Sequence, residues 1–274
     1  MATDVSSFKD AYKTAVTADF PETAELKLGD KTCRFERLPI DLRYGTNPHQ
    51  PFMAYAPISD TIPGNMIFAD MKMLKGGKAG LSLTNLQDMS QALNILKYFD
   101  KPACVAMKHI NPCGFAVRTG YENLVDLYTK ARKCDERSHF GATVGVNRQV
   151  DEYTAEAIMK TFVEGIIAPD YTAEALAVLR RTEGTKKLNN SIRVARVSNV
   201  EKLPKFIGDN IEGLYNIRNL ADGTLTFETP YLTRIRSVED FILEPMIPNS
   251  NPEKITEKIM LQKHFLLIKS FRMR

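Results

Sequence analysis

Short apolar segments, spaced by stretches of helical period, constrain this chain most. Ala103–Met107, Ala142–Val146 and Gly165–Ala168 are almost wholly apolar and bounded by polar or turn-forming residues. Runs of that length suit strands buried on both faces of a sheet. Between them, 121–133 and 152–162 read as helices. A helix at 172–181 and a strand at Ile192–Val197 follow, the Gly165 strand being stopped by Pro169. Ahead of the first run, 84–98 reads as a helix with Leu86, Met89, Leu93 and Leu96 on one apolar face. Thr84 and Gln87 stand at capping-box spacing at its start. Strands alternating with helices from about 66 to 200 predict an α/β fold, a layered sheet covered by helices.

The flanks differ in texture. The 274 residues suit one large domain or two small ones. Residues 1–40 read as an N-terminal segment, with a short helix around Ser7–Val16 and a hairpin or strand at Glu25–Phe35. The α/β unit is assigned to 41–204. The pattern changes around Glu201–Asn210, where Leu214–Leu220 and Thr224–Thr229 look like strands of a new unit. Pro245 to Pro252 punctuate a connector, and 253–270 has a helical pattern with Ile255, Ile259 and Met260 to one side. A second unit, 205–274, is expected to begin and not to finish. There are no repeats or low-complexity tracts.

Charge and cysteine usage exclude several classes. Lys and Arg number 37 against 33 Asp and Glu, a net +4, and the basic residues are scattered. No basic stripe interleaved with aromatics marks a nucleic-acid surface. The four cysteines, Cys33, Cys104, Cys113 and Cys134, form no C-x-x-C pair. No signal peptide and no apolar run of membrane-spanning length are visible. The expected setting is a reducing cytoplasm with free thiols.

The residues with chemistry gather at the end of the first run. Ala103–Met107 leads into Lys108-His109-Ile110 and then Asn111-Pro112-Cys113-Gly114, read as the turn that follows the strand. Burial of the run carries Lys108 and His109 to the strand's carboxyl edge, where open α/β sheets bind ligands. A lysine and a histidine presented together there suit proton transfer. Pro112-Cys113 invites comparison with the zinc deaminases, which need H-x-E followed by P-C-x-x-C. Position 111 is Asn111 rather than Glu, and the residue three after Cys113 is Ala116 rather than Cys. No metal is therefore expected.

Other candidates are open to two readings. The loop Arg43–Gln50 is either a polar surface turn or an anion site, since Arg43 offers a planar fork for phosphate. Asn85 at a helix start is either a helix-start residue or part of an anion site made by free backbone N–H groups. Glu164, just ahead of the Gly165 strand, is either solvated or an acceptor for an amide-bearing ligand. His139-Phe140-Gly141 is equally ambiguous. The glycine-rich loop at 75–80 matches neither the P-loop nor G-x-G-x-x-G. No serine nucleophile elbow occurs.

Taken together, these segments resemble one family. Leu42-Arg43-Tyr44-Gly45-Thr46-Asn47-Pro48-His49-Gln50 is similar to the signature that opens the AICAR transformylase domain of the bifunctional purine enzyme with IMP cyclohydrolase. Lys108-His109-Ile110-Asn111-Pro112-Cys113-Gly114 resembles its K-H-x-N-P-C-G motif. Phe140-Gly141 and Gly165-Ile166-Ile167-Ala168-Pro169 fall in the family's order and approximate spacing. The resemblance covers roughly residues 40 to 180.

The resemblance implies cytidine-deaminase-like α/β units without zinc. It implies formyl transfer from the co-substrate 10-formyltetrahydrofolate to the 5-amino group of AICAR. Arg43 and Tyr44 would bind the nucleotide phosphate, and Asn85, Phe140, Gly141 and Glu164 would line the substrate site. Lys108 and His109 would be catalytic. His109 is the candidate base; Lys108 would stabilise an oxyanion or protonate the departing folate nitrogen. A homodimer is implied, with AICAR and folate as its ligands and no nucleic acid or membrane. Two departures shape the expectation. The chain starts too near the first signature for a cyclohydrolase domain. Lys269-Ser270 aligns with the start of the family's K-S-N motif, yet Phe271 stands where Asn would be. The alternative is a non-catalytic AICAR-binding module.

Overall fold

The computed structural model describes residues 19–58, 67–77, 80–181 and 190–237. The expected Ser7–Val16 helix, the Pro245–Pro252 connector and the 253–270 helix lie outside the described residues. The apolar runs become the middle of a six-stranded sheet. Its strands are β4 (Lys72–Lys75), β5 (Ala103–Lys108), β6 (Asn111–Val117), β7 (Ala142–Val146), β8 (Val163–Ala168) and β9 (Arg193–Arg196), in the order β4-β9-β8-β7-β5-β6. Only β7, β8 and β9 are mutually parallel. They are linked by α3 (Glu152–Met159) and α4 (Ala173–Arg180). The strand β5 runs antiparallel to both β6 and β7.

Alternation along the strands sorts two apolar layers. Cys104, Val144, Ile166 and Val194 face α2 (Leu124–Cys134), α3 and α4, packing with Leu127, Tyr128, Ile158 and Leu179. Val105, Met107, Ile167 and Ala195 face α1 (Leu83–Leu96) and meet its Met89, Ala92, Leu93 and Leu96. One helix on one face and three on the other make a layered α/β arrangement, as the alternation predicts.

Several expected boundaries shift for local reasons. Asn111-Pro112-Cys113-Gly114 is the start of strand β6 rather than a turn. The turn is His109-Ile110 alone, because Lys108 pairs directly with Asn111. Pro112 is tolerated since β6 is an edge strand. Ala106 pairs with Gly114 and Met107 with Pro112, so Cys113 is the extra residue of a β-bulge. The α1 cap is Ser82 with Asn85, reciprocally bonded, rather than Thr84 with Gln87. Both pairs have the required spacing; the chain direction entering the helix selects the earlier one.

Beyond the main sheet, β1 (Thr23–Leu28) and β2 (Lys31–Arg37) form the expected hairpin. A third strand, β3 (Tyr55–Pro57), pairs with β2. Like β4 at the sheet edge, it is too short to show a period. The expected strands at 214–220 and 224–229 contract to an exposed hairpin, β10 (Asn216–Asn219) with β11 (Leu225–Glu228).

Candidate functional site

Because β5 is antiparallel to its neighbour, its carboxyl end lies beside the amino ends of β7, β8 and β9. Met107 pairs with Thr143, and Gly165 with both Thr143 and Arg193. The expected ligand edge is thus corrected. Lys108 ends its own strand, yet the site lies at the amino-terminal side of the three parallel strands.

Four of the expected residues form one chain of contacts there. The Lys108 ammonium donates to the Gly141 carbonyl at 2.9 Å. Gly141 has φ 74°, and a side chain on it would stand 3.0 Å from Lys108 Nζ and 3.5 Å from Glu164 Oε1. Glycine therefore supplies both the left-handed turn and the open space between those two charges. Glu164 is the second residue of β8 rather than the residue ahead of the strand. Its Oε2 accepts a hydrogen from Asn85 Nδ2 at 3.1 Å. Asn85 is buried, and its Oδ1 accepts the Ser82 amide at 3.2 Å. One side chain thus caps α1 and holds the carboxylate.

Arg43 and Tyr44 reach the same end by a backbone strap. Leu81 N donates to Asp41 O, Arg43 N to Leu81 O and Leu83 N to Tyr44 O, at 3.0, 2.8 and 2.9 Å. This closeness requires Gly80, whose φ is 84° and where a Cβ would meet the Asp41 carbonyl at 2.2 Å. Arg43 Nη2 donates to the Tyr44 hydroxyl at 2.8 Å, and its guanidinium lies 4.4 Å from the Tyr44 ring centre. Gln50 Oε1 accepts from the Asn47 amide and side chain, and Gly45 N donates to Gln50 O. The loop after Tyr44 is closed on itself.

Two residues of the cluster escape the sequence reading. Arg193 is buried, donates from Nε to Gly80 O at 2.8 Å and from Nη1 to Glu164 O at 3.5 Å. Burial lowers the pKa of its guanidinium, Arg43 lowers it further, and Glu164 and Tyr44 oppose. These four side chains share one electrostatic neighbourhood. Two arginines, Arg193 and Arg196, interrupt the apolar Ile192–Val197, and the sequence does not tell the buried one from Arg196, which is paired with Asp170. The second is Asp88, one turn beyond Asn85 and on the same buried face of α1. Its Oδ1 accepts the Ile110 amide at 2.6 Å. Burial pushes its carboxyl pKa up, against the Ile110 bond, His109 and Lys108.

That bond lands on a strained turn. His109 and Ile110 have φ 53° and 69°. A two-residue hairpin with both loop residues left-handed prefers Asn-Gly. A side-chain-bearing residue there costs about 1–2 kcal/mol, and a β-branched one is a clear outlier. Asn111 Nδ2 also donates to His109 O at 3.0 Å.

The remaining expected residue, Phe140, is exposed, and its ring lies 4.9 Å from that of Phe162 at a tilt of 54°, beside Gly141. Its neighbour His139 is buried edge-on against Tyr128, and its Nε2 has no hydrogen-bond partner among the described residues. Burial pulls its pKa down to about 4. Among the described residues no group of three or more His, Cys, Asp or Glu is placed to hold a metal ion. The Cys113 thiol is turned to the Ala106 carbonyl at 3.4 Å. Likewise, no helix among them is long and apolar enough to cross a membrane. A separate apolar groove of about 420 Å³ lies on the other side of α1, lined by Leu83, Leu86 and Leu93 with Leu38 and Tyr55. It holds none of the charged cluster.

Comparison with known proteins bears on this arrangement. A family model described as AICARFT/IMPCHase bienzyme matches residues 1–226. Bifunctional purine biosynthesis protein PurH of Acetivibrio thermocellus is 38% identical over 208 residues, 76% of this chain and 35% of that protein. PurH of Clostridium kluyveri is 35% identical over 72% of this chain and 38% of its own length. The purH protein of Dictyostelium discoideum is 37% identical over 66% of this chain and 31% of its own length. The chain spans about a third of the length of the curated relatives it matches. Among solved structures, Acinetobacter baumannii RibD, form 2, aligns over 40% of this chain and 35% of that chain, at 19% identity and a TM-score of 0.27, too loosely to bear on the fold.

Proposed function

Because the chain belongs to the AICARFT/IMPCHase bienzyme family, we propose that it serves purine biosynthesis as an AICAR formyltransferase, moving a formyl group from 10-formyltetrahydrofolate to the AICAR 5-amino group. The observation that carries this reading is the meeting of Lys108 and Glu164 at Gly141, with Asn85 holding Glu164 and with Arg43 and Tyr44 strapped to the same end of the sheet.

The residue types suit the chemistry. The AICAR amine is a weak nucleophile because its lone pair is delocalised into the ring and carboxamide. As it attacks the formyl carbon it gives up a proton, which His109 takes. The Lys108 ammonium, oriented by the Gly141 carbonyl, faces the oxygen that becomes anionic. The bond from the formyl carbon to the folate nitrogen then breaks, and that nitrogen takes up the proton that the His109 imidazolium returns. Glu164 accepts from the carboxamide, Asn85 keeps that carboxylate in place, and Arg43 with Tyr44 takes the phosphate. Phe140 flanks the opening. No step calls for a metal.

The same reading covers the architecture. Residues 41–204 are taken as a cytidine-deaminase-like unit without zinc, 1–40 as an N-terminal segment and 205–274 as the opening of a second unit. The protein is taken as a cytoplasmic homodimer that binds AICAR and folate rather than nucleic acid or membrane.

Calorimetry with AICAR tests the site. Arg43→Ala should weaken binding roughly 10- to 100-fold, the worth of a charge-assisted contact to phosphate. Equal affinity for both proteins would remove Arg43 from the site. An assay of tetrahydrofolate release tests the reaction. Tight AICAR binding with no release in the presence of 10-formyltetrahydrofolate would make the chain a nucleotide-binding module instead.

A further inference from the structure

We propose that Asp88 is the positioning residue for His109: its buried carboxylate accepts the Ile110 amide hydrogen and thereby holds the His109–Ile110 turn in its left-handed conformation, which fixes the imidazole next to Lys108. The inference rests on the reading of His109 as the proton acceptor. It adds a residue outside both motifs, contributed by a different element.

Three observations carry it. The turn has the conformation that Asn-Gly adopts freely, built from His and Ile, so something outside the turn must hold it. In a two-residue hairpin the amide of the second loop residue lies outside the strand ladder; here that amide meets Asp88 Oδ1 at 2.6 Å. The bond is charge-assisted, short, and anchored on the buried face of α1, which is itself packed on the sheet. Third, Asp88 is 4% exposed, and among the described residues no cation forms an ion pair with it. A buried carboxylate is costly without such a partner. Packing alone would be served better by an apolar residue at this place beside Met89 and Ala92. Ile110, for its part, is exposed and gains little by packing.

The test is a double-mutant cycle between Asp88→Ala and the paired change His109→Asn/Ile110→Gly, which makes the turn self-supporting. In the native turn, Asp88→Ala should lower the melting temperature by roughly 4 °C or more, and in the Asn-Gly background by less than half as much. Amide exchange at Ile110 should speed up at least about tenfold in Asp88→Ala, while Asp88→Asn, which keeps an acceptor in the same volume, should retain most of the protection. If Asp88→Ala fails to fold alone, folding in the Asn-Gly background supports the clamp, and failure there overturns it. Equal costs in both backgrounds, or unchanged Ile110 exchange, also overturn it.

Turnover then reads the catalytic consequence. Asp88→Ala should lower kcat at least about tenfold with KM for AICAR changed less than about threefold, and Asp88→Asn should restore much of kcat. An unchanged kcat in Asp88→Ala, where His109→Ala is inactive, overturns the positioning role. If His109→Ala itself turns over normally, the reading of His109 falls, while the cycle and the exchange data still decide whether Asp88 holds the turn.

Discussion

Ile110 bears backbone strain on a side chain that is largely in solvent. Its φ of 69° is a conformation that glycine adopts without penalty. Ile110→Gly should therefore stabilise the fold by about 1 kcal/mol, read as a higher urea midpoint with an unchanged slope. A lower midpoint would mean that the isoleucine contributes packing unseen in this arrangement. Lys108 and His109 were legible in the sequence because polar groups ending an apolar run stand out. Asp88 and Arg193 were hidden by the opposite circumstance. Each sits within an apolar pattern, and its partners, the Ile110 amide and the Gly80 carbonyl, are distant in sequence.

At the scale of elements, the K-H-x-N-P-C-G segment divides into parts with different duties. Lys108 closes β5, His109 and Ile110 turn the chain, and Asn111 onward belongs to β6. Gly114 is a packing residue: a Cβ there would stand 1.9 Å from the Ala131 carbonyl oxygen of α2. Gly114→Ala must therefore push α2 off the sheet. The expected cost is about 1–3 kcal/mol, the usual penalty of an overpacked core, with AICAR affinity altered only through that displacement. Thermal unfolding checks it, and a melting temperature equal to wild type would show that α2 has room to shift. The helices were legible from their period. The bulge at Cys113 and the cap at Ser82 were not, since competing residues at equivalent spacing differ only in how the chain enters the element.

For the whole molecule, one buried group links stability to pH. His139 has a native pKa near 4, against 6.5 for a free histidine. Between those values the unfolded chain binds the proton and the native one does not, so stability rises with pH through this window and is lost as pH falls through it. The loss is at most about 3 kcal/mol. Asp88, with its carboxyl raised by burial, acts in the opposite sense, so the comparison is with His139→Phe, which keeps a ring against Tyr128 and cannot ionise. Denaturant unfolding between pH 4 and 7 should show a flatter profile in the variant. Parallel profiles would take His139 out of the linkage. The proposed homodimer is tested at the same scale: sedimentation at micromolar concentration should give twice the chain mass, and a stable monomer would count against it.

The sequence by itself determined the layers. Apolar runs too short for helices and amphipathic stretches of 3.6 period can bury their faces only as strands between helices, whatever the order in which they pair. It also displayed the chemical groups, because Arg43, Lys108, His109 and Glu164 sit in stretches where polarity breaks a pattern. Strand direction and order were settled by the tertiary structure alone. An apolar run reads alike parallel or antiparallel, and the antiparallel placement of β5 moved the candidate site to the amino ends of β7, β8 and β9. The buried carboxylate, the buried guanidinium and the left-handed turn belong to the same class. Each is tolerable only through a partner brought from another element, and such partnerships exist only once the chain has folded.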